Sequence, residues 1–180
     1  MPDSPSSHSD PFDLLGIEPD FPVDEARLHQ AWLKATAANH PDRADDPEAA
    51  HLALSAVNQA YRTLSDPEKA ANALLTRLGG PSPDQAKALP AGFLMEMREI
   101  RDELEEAKAS KDPGKIAKLE DWADEQRGMW IQRVTEQFAA HSEADDRRDA
   151  IRESLNAWRY IERLIEQLDP EYSPAEVDFR

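Results

Sequence analysis

The sequence predicts an all-α protein, and three observations carry that prediction. Apolar residues recur at intervals of three and four along most of the chain, which is the period of one face of a helix. No segment alternates apolar and polar residues with a period of two, so no strand competes. Glycine is scarce, at 6 residues, while the 14 prolines sit mostly beside acidic residues and at helix starts, the pattern of helices joined by short, sharp turns.

The elements follow in order. Residues 1–9 are Ser/Pro-rich without apolar periodicity and are expected to be a disordered tail. Asp10-Pro11 opens a brief helix with Asp as N-cap and Pro at the first helical position; it carries Phe12, Leu14 and Leu15 and stops at Gly16. The turn EPDFPVD leads to a second helix over 24–39, with Leu28, Trp32 and Ala35 on its apolar face. A polar loop, HPDRADD, precedes a third helix that starts at Asp46-Pro47 and runs to Ser65, where Leu54, Val57, Tyr61 and Leu64 form the buried stripe. Asp66-Pro67 starts a fourth helix with Leu74, Leu75 and Leu78, ended by Gly79-Gly80. Residues 81–90 read as a linker.

Three longer helices are expected beyond it, over 91–109, 113–140 and 146–168. The middle one shows Ile116, Leu119, Ala123, Trp130, Val134 and Phe138, and the last shows Ile151, Leu155, Trp158, Ile161, Ile165 and Leu168. Pro170 and Pro174 mark 170–180 as a non-helical tail. The organisation is thus a four-helix domain over 10–80 and a three-helix bundle over 91–169.

Composition narrows function. The net charge of -16 is divided almost evenly between the two halves. It disfavours nucleic acid, whose phosphates need clustered Lys and Arg, and anionic membrane surfaces. With no cysteine the chain has no disulfide, no thiolate nucleophile and no thiolate-held zinc or cluster of its own. The polar start MPDSPSSHSD lacks the apolar core of a signal peptide, and no run approaches membrane-spanning length, so the cytoplasm is the expected compartment. The histidines His8, His29, His40, His51 and His141 are scattered, with no metal-ligating spacing, which disfavours a metal-dependent enzyme. Neither a cofactor nor a catalytic residue is expected.

His40-Pro41-Asp42 sits between two helices whose apolar stripes can face each other. Pro41 disfavours helical backbone at His40, ending the second helix there and leaving a partly fixed His–Asp tip. Alone, the tripeptide is equally good turn chemistry. Its surroundings add more: PFDLLGI, then HPDR, then VNQAYRTLSDPEKA resemble, in order and spacing, the J domain of DnaJ-type proteins over residues 10–80, with Asn58, Ala60, Tyr61, Leu64 and Pro67 matching. The resemblance implies that His40, Pro41 and Asp42 dock onto a DnaK-type ATPase chaperone and stimulate its ATP hydrolysis. Lys34, Arg27, His29 and Arg43 are the candidates for the basic face beside them. J domains bring several cations and an aromatic to the end of the second helix; LKATAANHPD offers Lys34 and Asn39 instead, which implies weaker electrostatic steering.

In the fifth helix Phe93, Met97, Ile100, Leu104 and Ala107 form the core stripe. Met95, Glu99, Asp102 and Glu106 repeat those intervals two residues later, about 200° round the helix and away from the core. Tyr160 falls on an outer flank of the last helix by the same rotation. An exposed Leu94–Met95 pair and an exposed Tyr160 beside a row of carboxylates predict a protein-docking patch, against the plainer reading of an ordinary solvated face. FLMEMREIRDELEEA resembles the segment that opens the C-terminal bundle of HscB-type co-chaperones, and ALLTRLGG also resembles that family's fourth helix. The combined resemblance spans residues 10–168 and implies a roughly L-shaped pair of domains whose bundle binds an IscU-type iron–sulfur scaffold through Leu94, Met95, Arg98, Glu99, Asp102, Glu106 and Tyr160. Two departures stand out: Arg98 replaces a residue that is usually apolar, and Tyr160 stands where Phe is familiar. The spacing of Arg98 and Asp102 predicts an i,i+4 ion pair.

The resemblance therefore implies a monomeric adaptor that delivers the scaffold to a DnaK/HscA-type chaperone. The alternative is a J-domain protein that recruits a different client.

Overall fold

The computed structural model describes residues 10–39, 46–141, 147–169 and 172. They form α1 (Pro11–Leu15), α2 (Glu25–Ala38), α3 (Pro47–Ser65), α4 (Pro67–Arg77), α5 (Phe93–Ser110), α6 (Pro113–Ala139) and α7 (Arg148–Leu168), with no strand among the described residues. The expected tail over 1–9 lies outside them. The chain divides into two compact units, Met1–Arg77 and Leu78–Arg180.

Asp-Pro pairs set where four of the helices begin. Asp10 accepts from the Phe12 N–H, Asp46 from Glu48 and Ala49, Asp66 from Lys69, and Asp112 from Gly114 and Lys115. Each proline occupies the first helical position, where a missing N–H costs nothing. A cap of this kind contributes about 1 kcal/mol.

In the first unit α3 packs against α1, α2 and α4. Phe12, Leu15, Leu28, Val57, Leu64, Leu74 and Leu75 are buried at the shared core. Trp32 closes its edge: the indole lies 5.0 Å from the Tyr61 ring and donates to Asn58 Oδ1 at 2.9 Å. Arg77, ending α4, donates to Asp10 and Asp13 of α1 at 2.7 and 2.8 Å, joining the two ends of the unit's chain.

In the second unit α6 packs along α7 and α5 lies against α6. Leu104, Ala107 and Leu119 form one buried cluster, with Ile100, Ile116, Leu164 and Leu168 packed on it from all three helices. The remaining core is Trp130, Val134, Ile151, Leu155, Trp158 and Ile161. Through this core runs a charged pair. Arg127 Nε of α6 donates to Glu162 Oε1 of α7 at 2.8 Å, with the two side chains only 6% and 1% exposed. Glu162 also accepts from the Trp158 indole at 2.7 Å and from the Tyr172 hydroxyl at 2.7 Å. Those bonds offset the cost of burying its charge. Tyr172, expected within a tail, is thereby anchored; burial and the Glu162 carboxylate hold its phenol well above the ordinary range.

Residues 81–90, expected as a linker, are fastened along α7. Asn156 Nδ2 donates to Ala86 O and Ala88 O at 2.9 and 3.0 Å, and Arg152 Nε donates to Asn156 Oδ1 at 3.0 Å. One turn before Arg152, Arg148 donates to Leu78 O at 3.1 Å. Gly79 beside it has φ +75°, and a Cβ there would stand 3.2 Å from the Arg148 guanidinium. The left-handed backbone is what favours glycine here, and a Cβ would also require the guanidinium to shift by a few tenths of an ångström.

Candidate functional site

The N-terminus of α5 is held by an aromatic wedge. Phe93, 4% exposed, lies edge-to-face between Trp130 of α6 and Tyr160 of α7, with both ring-centroid distances 5.8 Å. Such pairs add about 1 kcal/mol each beyond the area they bury. With Phe93 turned inward, the next two residues are rotated outward by about 100° and 200°. Leu94 is 59% exposed and Met95 72%. These are two neighbouring large apolar side chains in water, held there by the packing of the residue before them.

Arg98, Glu99, Asp102 and Glu106 are exposed along the same helix. They share the outer face with Met95, as the two-residue offset predicts. Tyr160 is half-buried rather than exposed, because its ring is committed to Phe93. Glu106 is engaged within the bundle: Lys115 Nζ of α6 lies 2.6 Å from its Oε1, and this ammonium holds the carboxyl below the usual carboxylate range. Arg98 and Asp102 form no ion pair among the described residues, so the expected i,i+4 bridge is absent. Exposed pairs of this kind contribute little, and each side chain keeps its rotamer freedom instead.

In the first unit, Arg27 and Lys34 are exposed on α2 two turns apart, on one face. His29 is exposed with its ring 5.5 Å from that of Trp32. Asn39 caps α2, donating from Nδ2 to Ala35 O at 2.8 Å, so the helix ends just before the HPD tripeptide. His40, Pro41, Asp42 and Arg43 lie outside the described residues.

Comparison with known proteins matches both units. Residues 10–72 match the DnaJ domain, and residues 89–169 match the HSCB C-terminal oligomerisation domain. A co-chaperone protein HscB homolog of Neisseria meningitidis serogroup C is 30% identical over 165 residues, covering 87% of this chain and 95% of the relative. The chain belongs to the HscB family of co-chaperones. An HscB homolog of Bordetella pertussis is 29% identical over 165 residues, covering 88% of this chain and 94% of its own length. Two solved HscB structures share the fold. Chaperone HscB from Vibrio cholerae aligns with a TM-score of 0.72 at 24% identity, over 88% of this chain and 94% of that one. Human co-chaperone protein HscB aligns with a TM-score of 0.76 at 24% identity, over 92% of this chain and 83% of that one. As an HscB-type J-domain protein, this chain is a co-chaperone for a DnaK-type partner. No helix among the described residues is long and apolar enough to cross a membrane.

Sequence reasoning missed the Arg127–Glu162 pair and the Asn156 clasp. A signal was present for the first: Arg127 falls on the stripe Ala123–Arg127–Trp130–Val134, and Glu162 on Trp158–Glu162–Ile165. A lone charge on each of two apolar stripes predicts that the two charges meet. For the clasp there was none, since the acceptors are main-chain carbonyls.

Proposed function

We propose that this co-chaperone delivers an IscU-type iron–sulfur cluster scaffold to a DnaK/HscA-type chaperone and stimulates that chaperone's ATPase. It acts in the cytoplasm as a monomer and carries no cofactor; the cluster is the scaffold's cargo. The observation that carries the reading is the outward placement of Leu94 and Met95, next to the Phe93 that Tyr160 covers and on the helix that also exposes Glu99 and Asp102. An apolar spot ringed by charge is what a protein interface needs at its centre and rim. The J-domain match supports the other half, with His40, Pro41 and Asp42 docking on the ATPase and Arg27, Lys34 and Arg43 steering it. A single body that holds both partners raises the scaffold's local concentration at the chaperone, accelerating transfer without chemistry of its own.

The test is ATP turnover by an HscA-type chaperone with this protein, with the scaffold, and with both. Synergy beyond the product of the separate effects supports delivery. Stimulation by this protein that the scaffold leaves unchanged would favour a different client, the reading to which Arg98, a charge within the patch, lends weight.

A further inference from the structure

Between α5 and α7 runs a groove of about 210 Å³ floored by Met97, Leu104, Leu164 and the ring of Tyr160, and flanked by Arg101 and Arg163 from opposite helices. The two arginines are exposed, and neither makes a hydrogen bond or an ion pair among the described residues. Most of the bundle's other described arginines are engaged, although Arg98, on the outer face of α5, forms no ion pair either. Arg127 binds Glu162, Arg133 lies over the Trp130 ring, Arg148 and Arg152 hold Leu78 O and Asn156, and Arg159 pairs with Glu166. The Arg159–Glu166 pair matters for Arg163, because Glu166, its i+3 neighbour, is already engaged.

In a chain of net charge -16, carboxylates to neutralise an arginine are abundant. Two guanidinium groups that line one groove without such partners keep their donors available to a ligand. A guanidinium also presents a fork of donors matched to a carboxylate, and two forks on one groove suit a single anionic side chain. The groove includes Tyr160, whose ring meets Phe93, the residue just before the exposed Leu94 and Met95.

We infer that this groove receives a carboxylate side chain of the scaffold, clamped between Arg101 and Arg163, with an adjoining apolar residue seated against Tyr160 and Leu164. The inference rests on the scaffold-binding reading and adds the chemistry of the segment recognised: an Asp or Glu next to an aliphatic or aromatic residue. The outer face of α5, with Glu99 and Asp102, takes cations of the same partner. Opposite signs on two sides of one apolar spot fix the partner's orientation, which a uniformly acidic face cannot do.

The experiment is calorimetric titration of an IscU-type scaffold protein into the full chain, the R101Q/R163Q double variant and the L94A/M95A double variant, at two ionic strengths. Circular dichroism checks that the helices are intact; all four positions are exposed, so the fold is expected to persist. R101Q/R163Q is expected to weaken binding about tenfold or more and to flatten its salt dependence. Wild-type affinity in R101Q/R163Q with loss of binding in L94A/M95A overturns the carboxylate clamp and leaves the docking face standing. Wild-type affinity in both variants overturns the face itself.

Discussion

Tyr160 of α7 meets Phe93 of α5 edge-on, with ring centroids 5.8 Å apart, so a residue of the proposed docking patch also holds the start of the helix that carries the rest of it. Replacing Tyr160 with alanine removes the support behind Leu94 and Met95 as well as a contact surface. The expected result is a large loss of scaffold affinity together with about 3 kcal/mol of lost stability. Tyr160→Phe keeps the ring pair and should leave stability near wild type. Paired denaturation and binding curves measure both effects, and equal damage from the two substitutions would contradict this account.

The two ends of the adaptor should be separable. Leu94→Ala with Met95→Ala removes two interface anchors worth about 2 kcal/mol each, which is a roughly thousandfold loss of scaffold affinity. Intrinsic stimulation of the chaperone's ATPase should survive it. His40→Gln should do the opposite, abolishing stimulation and sparing scaffold binding. Steady-state ATPase assays beside pull-downs decide the matter, and loss of both activities in either variant argues against a division of labour.

Glu162 is expected to be the costliest single charge to remove. Glu162→Gln leaves the Arg127 guanidinium buried without its counter-charge and should destabilise the bundle by about 3–5 kcal/mol. The combined change of Arg127→Met with Glu162→Gln should recover much of that loss. Chemical denaturation followed by tryptophan fluorescence suits the test, since Trp158 donates to the same carboxylate.

Tyr172 imposes an alkaline limit. Its phenol is raised by burial and by Glu162, so above about pH 10 the unfolded chain releases a proton that the folded chain keeps. Fewer protons are then bound in the unfolded state, and stability falls as pH rises. Below that pH both states hold the proton and this contribution does not vary. Tyr172→Phe should flatten the alkaline limb relative to wild type in melting curves taken from pH 8 to 11. Parallel limbs in the two proteins would exclude Tyr172 as the source.

Asn156→Ala should release the segment over 81–90 by deleting its two bonds to Ala86 and Ala88, a loss of about 1–2 kcal/mol confined to that stretch. Hydrogen exchange at these amides should quicken while the core of α6 and α7 stays protected. Uniform acceleration across the bundle would instead indicate global destabilisation.

Much of this architecture is legible from the chain because its punctuation is chemical. Asp-Pro pairs announce helix starts, and the apolar stripe of α5 by itself places Leu94 and Met95 outward. Periodicity treats a charged residue as outward by default, so Arg127 and Glu162 pass unnoticed unless their places on apolar stripes are weighed, and nothing in it foretells Tyr172 returning to cap them. It also assigns each residue to a face of its own helix only. Tyr160 shows the consequence: its rotation on α7 is outward, yet Phe93 from another helix covers its ring. Glu106 and Lys115 are likewise neighbours only once α5 and α6 are folded back on each other.

The thioether of Met95, 72% exposed, is open to peroxide. A single oxygen added to that sulfur would turn the centre of the patch polar and branched, with no buried atom disturbed. Preparations aged in air would keep their helical spectrum and melting temperature while losing their grip on the partner, and a methionine sulfoxide reductase would restore it.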